Sequence, residues 1–202
     1  MVWTFEGPQD YSIESVGFTV DQDGIISNDE EAAKPVLTVK LPKETDQQSY
    51  ATWTITLNKD GEEIEGATFP YEVGEEGDYT IDVIKTLNKI SLPEKTSMSI
   101  NVQNEAVPAT VTLAEGQSGL VFVNTDITLV YTGIMSDLPY TYKFIMERAE
   151  ASNPNNWLKF SEKSTPETKY NLSKEGNYRM KIIATYGRSS TTTVSEILAR
   201  AV

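Results

Sequence analysis

Apolar and polar residues alternate with a period of two along most of this chain, and no long stretch carries the 3.6-residue period of an amphipathic helix. In Leu37-Thr38-Val39-Lys40-Leu41 every second residue is apolar. In Ala51-Thr52-Trp53-Thr54-Ile55-Thr56-Leu57 the same rhythm sets Ala51, Trp53, Ile55 and Leu57 on one face and three threonines on the other. β-Branched threonine suits an exposed sheet face. Asn58-Lys59-Asp60-Gly61 then supplies turn chemistry, and Glu62–Phe69 is expected as the returning strand. Further strands are expected over Ser15–Val20, Asp78–Lys85 and Ser97–Val102, the last with Met98, Ile100 and Val102 facing inward. The run from Ser27 to Lys34 ahead of Pro35 predicts one or two helical turns capped at Ser27 or Asn28.

The second half repeats this plan. Ile127, Leu129 and Tyr131 alternate inward, as do Tyr140, Tyr142, Phe144 and Met146, while Val194 and Ile197 are assigned to a final Thr-rich strand. The clearest repeat is Gly77-Asp78-Tyr79, followed by alternation, and Gly176-Asn177-Tyr178, followed by the same. The two motifs lie 99 residues apart, the length of one small β-sandwich. This predicts an all-β protein of two tandem antiparallel sandwiches, 1–104 and 105–202, joined near Gln103–Pro108. The halves differ between their central strands: Trp53 precedes Tyr79 by 26 residues, but Tyr142 precedes Tyr178 by 36. The extra ten fall at about 147–170, around Asn153-Pro154-Asn155-Asn156-Trp157, and are expected to form a surface loop or hairpin that offers a contact surface.

An inward tryptophan on a central strand and a late strand opening on tyrosine resemble the immunoglobulin-like and fibronectin-III-like β-sandwiches of bacterial surface proteins and phage virions. The resemblance implies that Tyr79 and Tyr178 form the tyrosine-corner hydrogen bond near the start of the sixth strand. Two residues on, where antibody domains place a cysteine, this chain has Ile81 and Met180, so it is similar to disulfide-free versions of the fold. The second half, with Tyr140-Thr141-Tyr142-Lys143-Phe144 and Gly176-Asn177-Tyr178, also resembles tyrosine-rich modules repeated in bacterial surface proteins.

Composition narrows the chemistry. The chain has neither cysteine nor histidine, which removes disulfides, thiolate metal sites, cysteine nucleophiles and the usual general base near neutral pH. The net charge of −13 argues against nucleic acid as a partner. That charge is unevenly placed: residues 1–104 hold 20 Asp+Glu against 7 Lys+Arg, whereas residues 105–202 hold 10 of each. An acidic half that stays in solvent and a neutral half that docks is the reading this suggests.

Few residues are candidates for a site. Counting from Thr19, Asp21, Asp23, Gly24, Ile26 and Glu30 occupy positions 3, 5, 6, 8 and 12 of a calcium loop, which makes Asp21, Asp23 and Glu30 candidate metal ligands. Threonine at the first position and the strand-like residues before it support an acidic turn instead. The pairs Glu62-Glu63 and Glu75-Glu76 sit on a hairpin and a loop, not in a cleft that could separate their pKa values. Trp157, in the polar insertion, and Trp3 are candidates for stacking on sugars, whereas alternating tyrosines are expected to pack. No cofactor is implied beyond the calcium candidate.

The expected function is therefore non-enzymatic, through protein partners and with glycans as a further class of ligand. The start MVWTFEGPQD lacks the basic and apolar regions of a signal peptide, and no stretch reaches the ~18 apolar residues of a membrane span. This favours a virion protein decorating a capsid or tail, released by lysis. A spacer or adhesion module of a bacterial cell surface is the alternative, and a carbohydrate-binding accessory domain a third reading.

Overall fold

The computed structural model describes residues 16–42, 51–87, 94–136 and 139–202. It divides the chain into two compact units, Met1–Asn104 and Glu105–Val202. The first holds β1 (Gly17–Val20), β2 (Ile25–Ile26), β3 (Val36–Lys40), β4 (Ala51–Lys59), β5 (Glu62–Glu63), β6 (Tyr71–Glu72), β7 (Gly77–Leu87) and β8 (Glu94–Asn104). The second holds β9 (Thr110–Leu113), β10 (Leu120–Val121), β11 (Thr125–Thr132), β12 (Tyr140–Ala149), β13 (Leu158–Lys163), β14 (Lys169–Leu172), β15 (Gly176–Tyr186), β16 (Ser189–Val194) and β17 (Ala199–Ala201).

The two topologies correspond, except that the first unit's last strand, β8, is divided in the second into β16 and β17, both paired with β15. A three-stranded sheet, β1-β3-β6, accompanies a larger one, β2-β8-β7-β4-β5, in the first unit; β9-β11-β14 accompanies β10-β17-β15-β12-β13 in the second. In both larger sheets a two-residue strand at the edge runs parallel to the end of the last strand, β2 to β8 and β10 to β17, among otherwise antiparallel pairs. These are immunoglobulin-like β-sandwiches. The alternating apolar residues of each pair of sheets meet in a separate core, around Leu37, Leu57, Tyr79 and Ile81 in the first unit. In the second the core lies around Ile127, Phe144, Tyr178 and Met180. Ile81 and Met180, where a cysteine would stand in an antibody domain, are fully buried apolar side chains.

Three expectations need correction. The Ser27–Lys34 run forms a turn and no helix: Ser27 Oγ accepts from the Asp29 N–H and Asp29 Oδ1 from that of Glu31, but the Ala32 N–H reaches the Asp29 carbonyl in a three-residue turn, and Pro35 disfavours helical backbone at the residue before it. The strand returning after Gly61 stops at Glu63, because Gly66 adopts φ 72° and the Ala67 N–H turns back to the Ile64 carbonyl. Trp53 faces the first core as expected and is half-buried there, with β5 flanking β4 only at Asn58 and Lys59. The final strand of the second unit is split. The Ser195 N–H bonds to Met180 and that of Leu198 to Tyr178, which bulges Glu196 and Ile197 outward between β16 and β17. Val194 and Ile197 are accordingly exposed.

The insertion lengthens a hairpin. Where β4 meets β5 over two positions, β12 meets β13 over five, with a bulge between Met146 and Glu147. Among the described residues no helix is long and apolar enough to cross a membrane. Ser15 lies outside the described residues.

Candidate functional site

The loop counted as a calcium motif is built by its own hydrogen bonds. Thr19 lies inside β1, opposite Thr38, and its strand geometry precedes the loop. Asp21 Oδ1 accepts from the Val36 N–H at 2.5 Å, and Gln22 Nε2 donates to the Lys34 carbonyl at 3.2 Å. Gln22, Asp23 and Gly24 follow one another at φ 51°, 52° and 67°, a left-handed turn that Asp21 closes by accepting from the Gly24 N–H. Ile25 and Ile26 then join the sheet edge beside Gln103 and Asn104. Asp23 is exposed, as is Glu30 in the next turn. Among the described residues no three Asp or Glu side chains are gathered closely enough to hold a metal ion.

The acidic pairs are likewise dispersed. Glu62 and Glu63 are exposed on β5. Glu75 is held by Lys59 at 2.5 Å, and that hydrogen bond keeps its carboxyl below the usual glutamate range. Glu76 accepts from the Asn104 N–H at 3.3 Å. A shallow groove of about 350 Å³ opens beside the β12–β13 ladder between Lys143, Lys163 and Ile183. Its acid, Glu162, is engaged by Lys159 at 2.9 Å.

The tyrosines pack. Tyr140 stacks on Tyr186 and Tyr142, with centroids 4.9 and 5.8 Å apart, and Tyr131 meets Phe144 edge-on at 5.2 Å. The Tyr140 hydroxyl accepts from the Val107 N–H and that of Tyr142 from the Met135 N–H. Burial pushes the Tyr131 phenol well above its ordinary pKa, and its hydroxyl donates to the Glu167 carbonyl. Trp157 is half-buried beside the guanidinium of Arg179, which lies 4.1 Å from the ring centroid. Arg179 Nε in turn donates to Glu147 Oε2 at 2.7 Å. One indole face is thus covered by the protein itself, and the arrangement pins the β12–β13 hairpin to β15. Trp3 lies outside the described residues.

The distribution of exposed apolar side chains is the feature that sequence reasoning missed. Among the described residues eight large hydrophobic side chains are exposed, and all eight belong to the second unit, whereas the net charge belongs to the first. Four gather at one edge of the larger sheet: Leu120 and Phe122 are 60% and 78% exposed, and Ile197 and Val202 are 56% and 46% exposed. A signal was present. In Leu120-Val121-Phe122-Val123 consecutive residues are apolar, and a strand can bury only alternate ones on a single core.

No family model matches the chain, and no curated protein sequence matches it. Among solved structures it is similar to the fibronectin(III)-like modules of Clostridium thermocellum CbhA, at 16% identity and a TM-score of 0.36, covering 92% of this chain and 95% of that one. It is also similar to three N-terminal domains of the highly immunogenic outer capsid protein (Hoc) of bacteriophage RB49, at 14% identity and a TM-score of 0.33. That match covers 91% of this chain and 58% of the phage chain, so this chain spans a little over half of that length.

Proposed function

We propose that the chain is a non-catalytic attachment protein whose neutral second unit docks onto a larger assembly while its acidic first unit stays in solvent. The setting we favour is a virion, with the protein decorating capsid or tail. The alternative is a spacer or adhesion module on a bacterial cell surface, which the tyrosine-rich second unit supports.

One observation carries the docking assignment: exposed apolar side chains and net charge are segregated into opposite units. Apolar surface left in water is stabilised by covering it, so it marks where a partner adds affinity. A unit with net charge −13 and no large exposed hydrophobic side chain among its described residues has little to dock with, and its field repels other acidic surfaces.

Co-sedimentation tests this. The full chain is incubated with purified virions and, separately, with the cell-envelope fraction of the organism that carries the gene. Pelleting with virions is the expected result, and pelleting with envelope alone selects the alternative. Reversing charge at Glu62 and Glu63 of the first unit should leave binding intact. If that double variant is released while the parent is retained, the two units have been assigned the wrong way round.

A further inference from the structure

Shared topology allows the same edge to be compared in both units. In the first, β2 carries half-buried Ile25 and Ile26, and an acidic turn follows. In the second, Leu120 stands opposite Arg200 and Val121 opposite Ala201. Ala201 and Val121 turn toward the core, so Leu120, Phe122, Arg200 and Val202 project from the outer face, with Ile197 just before β17.

The backbone of this edge is already engaged. Arg200 and Val202 donate to the Gly119 and Val121 carbonyls, which turns the polar groups of Leu120 outward. There Ser118 Oγ accepts from the Leu120 N–H at 3.1 Å and donates to the Leu120 carbonyl at 2.9 Å. The Phe122 carbonyl accepts from the Thr125 N–H. A strand passing alongside would find few free partners, so what the edge offers is side chains.

The position is accessible within the unit. β15 runs from Gly176 to Tyr186, roughly 33 Å at the usual rise of a strand. β17 pairs with its first three residues. The chain enters the unit at the other end, where the Ala106 N–H bonds to Ser189 and the Val107 N–H to Tyr140, both opposite Tyr186.

Arg200 defines the chemistry of the occupant. The chain has four arginines; Arg148 is held by Glu150 and the Glu175 carbonyl, Arg179 by Glu147 and Trp157, and Arg188 is also engaged. Among the described residues Arg200 has no such partner, and it is flanked by exposed apolar side chains. A purely apolar surface covering it would bury an unpaired guanidinium, which is prohibitive, whereas a carboxylate in the covering surface pairs with it through two parallel hydrogen bonds.

We propose that Leu120, Phe122, Arg200 and Val202 form the docking face of the second unit for a folded protein surface that presents a carboxylate set among apolar side chains. This rests on the attachment reading above. The test uses the full chain, with Phe122→Asp, Arg200→Glu and, on the opposite sheet edge, Leu158→Asp as control, against whichever virion or envelope fraction the parent binds. All three positions are exposed, and equal melting curves establish that the variants fold. Binding should weaken ten-fold or more for Phe122→Asp and Arg200→Glu and stay unchanged for Leu158→Asp. If the parent binds and Phe122→Asp binds as well, a different face docks and the attachment reading stands. If the parent binds neither fraction, that reading falls and this inference with it. Two further outcomes overturn the assignment of the partner. One is Phe122-dependent pelleting with vesicles of equal phosphatidylcholine and phosphatidylserine, which makes the occupant a lipid surface. The other is Phe122-dependent self-association in sedimentation equilibrium, which makes it a second copy.

Discussion

The hydroxyl of Tyr178 donates to the carbonyl oxygen of Lys174, 2.6 Å away and four residues earlier, and so ties the loop entering β15 to that strand. In the first unit Tyr79 bonds in the same way to the Glu75 carbonyl at 2.9 Å. Both rings are buried in their cores, and burial holds both phenols above their ordinary pKa. Tyr178→Phe keeps the ring and removes the hydrogen bond, at a cost of about 1 kcal/mol. For a unit of this size that lowers the melting temperature by roughly 4–8 °C. Calorimetry should show one transition moving in Tyr178→Phe and a different one in Tyr79→Phe. A single transition that shifts equally in both variants would show that the units do not melt independently.

The glycine two residues before Tyr178 is required for a steric reason. Gly176 has φ 140°, and a Cβ there would lie 2.5 Å from the Ala149 carbonyl oxygen and 3.3 Å from its carbon. Backbone must move to admit it, so Gly176→Ala should destabilise the second unit by more than about 2 kcal/mol. Gly61 separates conformation from space: φ is 89°, but nothing lies within 4 Å of a built Cβ. Gly61→Ala should cost only about 1 kcal/mol, the strain of the left-handed backbone. Denaturant midpoints of the two variants should differ accordingly, and equal losses would mean that the contact with Ala149 relaxes freely.

Why some elements were readable and others were not follows from where their determinants lie. β7, β12 and β15 bury alternate residues in one core and β4 packs its alternate residues Trp53, Ile55 and Leu57 against one, so their alternation is written locally, and Gly-x-Tyr marks the corner of each unit. The two-residue strands β2 and β10 are selected by pairing with chain about 80 residues away, and nothing in Ile25-Ile26 or Leu120-Val121 encodes a parallel partner. The bulge between β16 and β17 depends on Ser195, whose hydroxyl accepts from the Met180 N–H, a tertiary contact with no local pattern. The docking face was hidden for the same reason: Arg200 is separated from Leu120 by most of the unit and meets it only through strand order. Asp21, Asp23 and Glu30 show the converse, a spacing that fits a loop motif while the Asp21 side chain serves the backbone of Val36.

Asp82 makes the first unit sensitive to acid. Its carboxylate accepts from Ser97 Oγ at 2.5 Å and lies 3.1 Å from Lys95 Nζ on the outer face of the larger sheet. The Ser97 hydrogen bond, and then Lys95, hold its pKa below the ordinary aspartate value of 3.8. A carboxyl whose folded pKa is depressed contributes its full stabilisation above the unfolded value and loses it as pH falls through the folded value. Asp82→Asn should therefore melt below the parent at pH 6, by the equivalent of under about 1 kcal/mol because the group is partly solvated. The gap should close as the pH falls from the ordinary aspartate value through the lowered folded one. A gap independent of pH would assign the loss to packing of the amide and not to the charge.

Trp157 and Arg179 are best tested together, since each holds the other. The guanidinium over the indole is worth about 0.5–2 kcal/mol, depending on how well water is excluded, and Glu147 fixes its orientation from the other side. Trp157→Ala removes the ring contact and Arg179→Gln removes the charge, so each should destabilise the second unit by about 1 kcal/mol. The double variant should lose less than the sum of the two, because both substitutions delete one shared contact. Additive losses would mean that the ring and the guanidinium act separately. The same variants bear on sugar stacking. If Trp157 is a structural pin, glycan-array binding by the parent, whatever its level, should persist in Trp157→Ala once both proteins are assayed well below their melting temperatures. Sugar binding that vanishes in Trp157→Ala while Arg179→Gln retains it would instead make the uncovered face of the indole a ligand platform.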